Sequence, residues 1–293
     1  MVGAGKNKNY SPKTLIIKIW DEFIYGGHYL AFGDAVAIYA IGIVCKIPVT
    51  WTIFVVIYLC IFAANLLNRS DESDSDTITN PTRVKVMRKY TKHFNAIVIF
   101  CLSVSTVFLL YYASIGTFLF ALFIIAIAAL YTILLKGFTK YIIGFKNYIA
   151  ALFYALMVFL LAYYYKFPVN TAVIIIFFFY YLRIFISSAA CDIKDIEGDE
   201  LGGLKTIAIY FGKKNATRLL NVVNILSGIL IVWGVYIEVL PVFSYGLLLT
   251  IPYASYYLYR GSKSKNKEFF SNVIIDGEFL LWLPYVILAR AIL

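Results

Sequence analysis

The chain of 293 residues is 62% hydrophobic and only 14% charged, with a mean hydropathy of +0.82. A soluble domain of this length carries about a quarter charged residues, so the composition excludes an ordinary soluble protein and indicates an integral membrane protein. The net charge of +10 suits anionic headgroups or anionic substrates and requires no nucleic-acid partner.

Apolar stretches of about 20 residues, long enough to cross a hydrocarbon core as helices, recur along the whole chain. They are continuous rather than alternating, which favours helices over the strands of a β-barrel. The sequence therefore predicts one all-α membrane domain, 1–293, with nine transmembrane helices around a central cavity. The predicted spans are 29–45, 50–67, 94–112, 115–135, 149–165, 169–190, 219–237, 241–259 and 274–292.

The basic residues predict the orientation of these spans. When alternate connections are assigned to opposite sides, 23 of the 26 basic residues fall on one side, which the positive-inside rule makes cytoplasmic. We therefore expect a multi-pass protein of the cell membrane whose N-terminus and connections 68–93 and 191–218 are cytoplasmic. Segment 1–28 precedes the first span, and its residues 15–24 form an amphipathic pattern typical of a helix in the membrane interface.

Nine of the sixteen acidic residues fall in two short stretches, 71–76 and 192–200. Each stretch directly follows a predicted span, the second and the sixth, so both lie on the predicted cytoplasmic side. This layout also suggests two four-helix repeats plus a final helix, each repeat with an acidic connection after its second helix. The repeat rests on layout alone.

On a helix that turns about 100° per residue, each acidic stretch forms one polar face. Two carboxylate faces at one end of a helical bundle repel each other unless a cation lies between them, and carboxylate oxygens suit Mg²⁺. A solvated acidic loop is the alternative for one stretch, but two such stretches among basic residues favour a metal site. The residues of the two faces are Asn68, Glu72 and Asp76 in the first, and Asp192, Asp195 and Asp199 in the second.

Both acidic faces resemble motifs of the UbiA superfamily of intramembrane prenyltransferases. The first, from Asn68 to Asp76, is similar to its Asn-Asp-x-x-Asp-x-x-x-Asp motif, although Arg69 stands in place of an aspartate. The second, Asp192 to Asp199, resembles its second aspartate-rich motif in a form typical of archaeal members. Further similarities lie in Ile78-xx-Pro81-x-Arg83, Tyr131-Thr132-xx-Leu135-Lys136, Gly203-Leu204-Lys205-Thr206 and Phe211-Gly212.

The resemblance implies Mg²⁺-dependent transfer of a prenyl group from an isoprenyl diphosphate to an acceptor within the membrane. It implies metal ligands at Asn68, Glu72, Asp76, Asp195 and Asp199. It implies phosphate contacts from Arg83, Lys136, Lys140, Lys146 and Arg69, and catalytic roles for Asp192, Asp195, Asp199 and Tyr131.

The acceptor is left open by the sequence. It could be 4-hydroxybenzoate or another quinone precursor, which reacts at a ring carbon, or geranylgeranylglyceryl phosphate, which reacts through oxygen. An alternative from another class is a transporter of divalent cations or phosphate compounds, although neither the second nor the sixth span has a clear Gly or Pro break. A lipid phosphotransferase is a further alternative, but its Asp-Gly-x-x-Ala-Arg pattern is absent from the chain.

Four ionisable residues lie in or near predicted spans: Asp34, Arg183, Asp276 and Glu278. Such residues are functional candidates by default. Arg183 precedes Asp192 by nine residues, about 180° around a helix, and so should not join the carboxylate face. No role is assigned to these four residues, and we expect Asp34 to be paired inside the bundle.

Overall fold

The computed structural model describes residues 12–69 and 74–293, and these ranges contain helices and turns but no strand. The predicted all-α class is confirmed. The α-helices are α1 Pro12–Tyr25, α2 His28–Val44, α3 Trp51–Arg69, α4 Asp74–Thr79, α5 Pro81–Met87, α6 Phe94–Tyr112, α7 Ile115–Leu130, α8 Phe145–Tyr164, α9 Thr171–Leu201, α10 Ile207–Tyr236, α11 Thr250–Arg260, α12 Lys267–Phe269 and α13 Glu278–Ile292.

Six helical segments in the described ranges are long and apolar enough to cross a membrane, or seven if α1 and α2, which meet at 57°, form one bent span. Together with the composition, these segments make the chain a multi-pass membrane protein. The count of nine spans is not confirmed and remains a prediction. Each predicted span does coincide with helical structure, but three of the corresponding helices are short or broken.

Three predicted spans, 29–45, 115–135 and 241–259, are not formed by one long α-helix. Helix α2 has 17 residues, and α7 has 16 before a π-helical turn, Tyr131–Leu135, replaces the predicted continuation to 135. The predicted span 241–259 divides into a 3₁₀ segment, Val242–Leu249, and α11. Pro252 lies in the first turn of α11, where a missing N–H costs no helical hydrogen bond.

The long helices form a closed ring. From α2 to α11 each long helix packs on the next long helix in sequence, and α13 returns to pack on α2. Short connections join α6 to α7 and α8 to α9 as two helical hairpins. Ser114 Oγ accepts from the Thr117 N–H at 3.2 Å at the start of α7, and Asn170 Oδ1 accepts from the Val173 N–H at 3.1 Å at the start of α9. Both are N-caps, which fix where the second helix of each hairpin begins.

The elbow between α1 and α2 contacts the end of α3. Gly27 has φ +93° and a Cβ at this position would lie 2.6 Å from Asn65 Nδ2, so only glycine fits this approach. The Arg69 guanidinium donates to the Tyr25 carbonyl at 3.1 Å. Helix α1 exposes a row of apolar side chains, including Ile16, Ile19 and Trp20, and its predicted location in the membrane interface is untested.

A buried ion pair joins α9 to α13. Arg183 and Glu278 are both fully buried, and their nearest nitrogen and oxygen atoms are 2.6 Å apart. The Arg183 guanidinium also donates to the Thr250 carbonyl at 3.1 Å and to the Asn224 side chain, and the Tyr257 hydroxyl donates to Glu278 at 2.8 Å. These two residues are therefore partners, and every charge in this group has a polar neighbour, as burial requires.

The buried Asp34 carboxylate accepts a hydrogen bond from the Tyr180 hydroxyl at 2.7 Å. This contact fits the expectation that Asp34 is paired inside the bundle. It joins α2 to α9, two helices that are far apart in sequence.

Candidate active site

Helix α9 carries the second acidic stretch without interruption. The predicted span ends at 190, but the helix continues to Leu201, and only 202–206 separate it from α10. Most of the predicted connection 191–218 is therefore helical. Because the helix continues, Asp192, Asp195 and Asp199 keep the shared face that their spacing predicts.

Lys146, in the first turn of α8, brings two of these aspartates together. Its Nζ atom lies 2.8 Å from Asp192 Oδ1 and 3.1 Å from Asp199 Oδ2. The neighbouring Asn147 donates to the other oxygen of Asp192 at 3.0 Å and to Ser188 Oγ at 2.9 Å. One lysine thus pairs with two carboxylates, and Asp192 is bonded through both of its oxygens. This ion pairing is the contact found for Lys146, whose predicted phosphate contact remains a prediction.

The segment that resembles Gly-x-Lys-Thr holds Lys146 in place. The Gly144 N–H donates to the Lys205 carbonyl at 2.8 Å, and the Lys205 N–H donates to the Thr139 carbonyl at 2.9 Å. Thr206 then caps α10 by accepting from the Ile209 N–H at 3.3 Å. The turn after α9 is therefore bonded to the turn before α8, which sets the distance from Lys146 to the aspartates.

Asp195 has a different lysine partner, Lys194. The Lys194 Nζ atom lies 3.0 Å from Asp195 Oδ1 as an ion pair and donates to Asn80 Oδ1 at 2.6 Å. Both Lys194 and Asn80 are buried. This contact connects the second acidic face to the residue directly before α5. Neither Lys194 nor Asn80 was expected from the sequence to be part of the site.

The first acidic stretch reaches the same helix through α4, which packs against α9. Asn68 is exposed on the last turn of α3. Glu72 lies outside the described residues, and Asp76 belongs to α4 but its side chain is likewise outside the description. Within the described side chains no three His, Cys, Asp or Glu groups converge as a metal site, so the metal ligand set remains a prediction that needs the first stretch.

The candidate phosphate-binding residues lie on separate elements around this cluster. Arg83 is half-buried on α5, and Arg69 ends α3. Lys140 is exposed at the end of the 3₁₀ turn Lys136–Lys140, while the side chain of Lys136 is not among those described. The charges of Arg69, Lys194 and Arg83 all act on Asp276. Asp276 therefore lies close to these three basic residues.

Tyr131 begins the π-helical turn after α7 and lies near Lys146. The charges of Lys146 and Asp192 both act on the Tyr131 phenol, which is partly buried. A tyrosine phenol is neutral near pH 7, so the Tyr131 hydroxyl can donate a hydrogen bond beside the acidic face. The predicted catalytic role of Tyr131 has support from this proximity and no direct test.

The sequence matches the UbiA prenyltransferase family over residues 30–282. The chain therefore belongs to the UbiA prenyltransferase family. No curated protein sequence matches it.

Solved structures share the fold at low identity. A UbiA homologue from Archaeoglobus fulgidus bound to GPP and Mg²⁺ is 14% identical, with a TM-score of 0.65 over 92% of this chain and 98% of that one. The apo structure of a UbiA homologue from Aeropyrum pernix K1 is 14% identical, with a TM-score of 0.66 over 90% and 98%. A structure described as digeranylgeranylglyceryl phosphate synthase is 18% identical, with a TM-score of 0.57 over 94% and 98%.

Proposed function

We propose that this chain catalyses the Mg²⁺-dependent transfer of a prenyl group from an isoprenyl diphosphate to an acceptor inside the membrane. The observation that carries the proposal is the carboxylate cluster at the end of α9, where two lysines pair with three aspartates. A buried cluster of this kind is stable only with cations, and α4 brings the first acidic stretch to the same helix. The A. fulgidus relative, bound to GPP and Mg²⁺, supports the same class of donor.

The reaction breaks the bond between the first prenyl carbon and the diphosphate oxygen, which leaves with the electron pair. The acceptor then forms a bond to that carbon and loses a proton. We propose that Arg83, Arg69, Lys136, Lys140 and Lys146 bind the diphosphate oxygens, the arginines in a bidentate manner. Tyr131 would donate a hydrogen bond beside Lys146.

The donor set at the site fits Mg²⁺, since carboxylate and amide oxygens are the ligands this ion prefers. Asp195 and Asp199 would hold it from α9, and Asn68, Glu72 and Asp76 from the first stretch. When bound, the ion neutralises charge that develops on the departing diphosphate. Asp192, bonded to both Lys146 and Asn147, would keep the lysine in position during this step.

The proposed acceptor is one of the three classes that the sequence leaves open: 4-hydroxybenzoate, another quinone precursor or geranylgeranylglyceryl phosphate. The likeness to a structure described as digeranylgeranylglyceryl phosphate synthase is a reason to include the lipid acceptor in any panel. We further propose that the acidic end of α9 faces the cytoplasm of the cell, because the basic residues concentrate on that side.

The test is diphosphate release by the purified protein in lipid. Geranyl and geranylgeranyl diphosphate are supplied with and without Mg²⁺, across a panel of these acceptors. Release should require Mg²⁺ and should fall by at least about a hundredfold in the Asp195→Ala/Asp199→Ala variant, which loses electrostatic stabilisation of the leaving group. The productive acceptor then identifies the substrate class.

The matched control is Glu197→Ala/Glu200→Ala, which removes two exposed carboxylates from the same helix and should keep the wild-type rate within about twofold. Mg²⁺-independent release, or equal rates in both double variants, would contradict the proposal. Mg²⁺ flux into vesicles without any turnover would favour the transporter alternative.

A further inference from the structure

Glu268 is a buried acidic residue that the proposed mechanism does not use. It lies on α12, in the last connection before α13, and is only 8% exposed. The neighbouring side chains of Ser271 and Asn272 both donate to its carbonyl, at 3.1 and 2.8 Å. The backbone at Glu268 is therefore fixed. Burying a carboxylate without hydrogen-bond partners is strongly unfavourable. The contacts of the Glu268 carboxylate must therefore offset the cost of its burial.

The Glu268 carboxylate contacts the first backbone N–H groups of α5. Glu268 Oε1 accepts from the Arg83 N–H at 2.7 Å, and Oε2 accepts from the Thr82 N–H at 3.2 Å. The first N–H groups of a helix have no partner within the helix, and a carboxylate there gains from both the hydrogen bonds and the helix dipole. Glu268 thus caps α5 from a position 185 residues further along the chain.

Asn80, the residue that would ordinarily cap α5, has another partner. Its side chain makes no capping hydrogen bond to α5. Its Oδ1 atom accepts from Lys194 Nζ, and Lys194 is in turn paired with Asp195. The start of α5 is therefore bonded on one side to Glu268 and on the other side to the second acidic face. The Glu268 contact holds the backbone of Arg83, and the Asn80 contact links the start of α5 to Lys194 and Asp195.

We propose that Glu268 is a positioning residue for the diphosphate group of the donor, which acts by fixing Arg83 relative to the carboxylates of α9. The inference rests on the proposed function, since it assumes that Arg83 binds the diphosphate. Glu268 itself touches neither donor nor acceptor. Its two hydrogen bonds hold the backbone of Arg83, so that the guanidinium is preorganised for phosphate oxygens.

The experiment compares wild type with Glu268→Gln, which keeps the size of the side chain but replaces one acceptor oxygen by an amide group that faces an N–H. The Michaelis constant for geranyl diphosphate should rise about tenfold, the change expected from losing one charge-assisted hydrogen bond. The kcat should stay within about twofold, and the Michaelis constant for the acceptor should not change. Glu238→Gln, an exposed glutamate on the turn after α10, is the matched control and should resemble wild type.

Two further measurements separate positioning from a merely structural role. Binding of a geranyl diphosphate analogue with sulfur in place of the bridging oxygen, with Mg²⁺ present, should weaken by the same factor in Glu268→Gln. In an Arg83→Ala background Glu268→Gln should have no further effect, because residues that act through one another are non-additive.

An unchanged Michaelis constant for the donor, an equal loss in the Arg83→Ala background, or a lower kcat alone would overturn the inference. Failure of the wild type to bind the analogue would overturn the proposed function together with it. A wild type that binds, with Glu268→Gln binding equally well, would overturn only the role of Glu268.

Discussion

Helix α9 and the hairpin of α6 and α7 are both strongly apolar, yet they differ in how much of each is buried within the protein. In the most apolar part of α9, 67% of the residues are buried within the protein, against 28% in the most apolar part of the helical segment Thr91–Tyr112. Helix α9 packs between α8 and α10, whereas α6 contacts chiefly α3. Large apolar side chains such as Ile99, Phe100 and Phe123 are exposed on the hairpin.

The difference shows where a membrane protein places polar groups. Lipid tails are as apolar as leucine, so the hairpin can expose its side chains to lipid without a large penalty. Charged groups have no such freedom, because an unpaired charge in hydrocarbon is costly. The buried charges of α9, such as Arg183, Asp192 and Asp199, therefore lie where other helices cover them and supply partners, and the candidate active site lies in the last turns of this helix.

The largest loss of stability should follow from breaking the buried ion pair between Arg183 and Glu278. Glu278→Gln leaves the fully buried Arg183 without its counter-charge and should lower the free energy of unfolding by about 3–5 kcal/mol. The measurement is equilibrium unfolding in mixed micelles. Because the double variant Arg183→Met/Glu278→Met removes both charges, it should be more stable than Glu278→Gln. A single variant as stable as wild type would show that burial does not make this pair obligatory.

A smaller loss of stability is expected when the ion pairs at the end of α9 are broken. Lys146→Met removes the cation shared by Asp192 and Asp199, but the lysine side chain is 26% exposed, so water moderates the cost. We expect a loss of about 2 kcal/mol in the same unfolding assay. Lys92→Met, at an exposed lysine, should change stability by less than about 0.5 kcal/mol. Equal effects at the two positions would contradict the observed pairing.

Substitutions in the hairpin of α6 and α7 should have the smallest effects on stability. Ser114→Ala removes the N-cap of α7 and should cost about 1 kcal/mol. Phe100→Ala, at a side chain 65% exposed on α6, should cost less than about 0.5 kcal/mol, because the ring faces lipid rather than protein. A loss above 2 kcal/mol for Phe100→Ala would mean that this face packs against another protein surface, and the comparison of the two regions would then fail.

Much of the candidate site could be predicted from the spacing of residues close together in the sequence. The spacing of Asp192, Asp195 and Asp199 predicted a shared helix face because helical geometry depends only on neighbouring residues. The apolar stretches predicted the helices for the same reason. Lys146 was identified as part of the site through the family resemblance, but its contact with two aspartates was not predicted.

The number of spans could not be read from composition. A stretch such as 241–259 is apolar enough for one helix, but Pro252 and the 3₁₀ segment before it divide the stretch. Hydropathy averages over such a window and does not register a local break. Glu268 and Asn80 were missed for another reason, since neither belongs to a repeating pattern and each matters only through a distant partner.

The sequence by itself determined that the chain lies in a membrane, that it is helical and that the aspartates of α9 share one face, because these properties depend on composition and on residues a few positions apart. Only the tertiary structure decided the partners of the charged side chains. Lys146 and Asp199 are 53 residues apart, Asn80 and Lys194 are 114 apart, and Arg83 and Glu268 are 185 apart. Such contacts arise from how the helices pack in a closed ring, and no local rule connects residues that far apart.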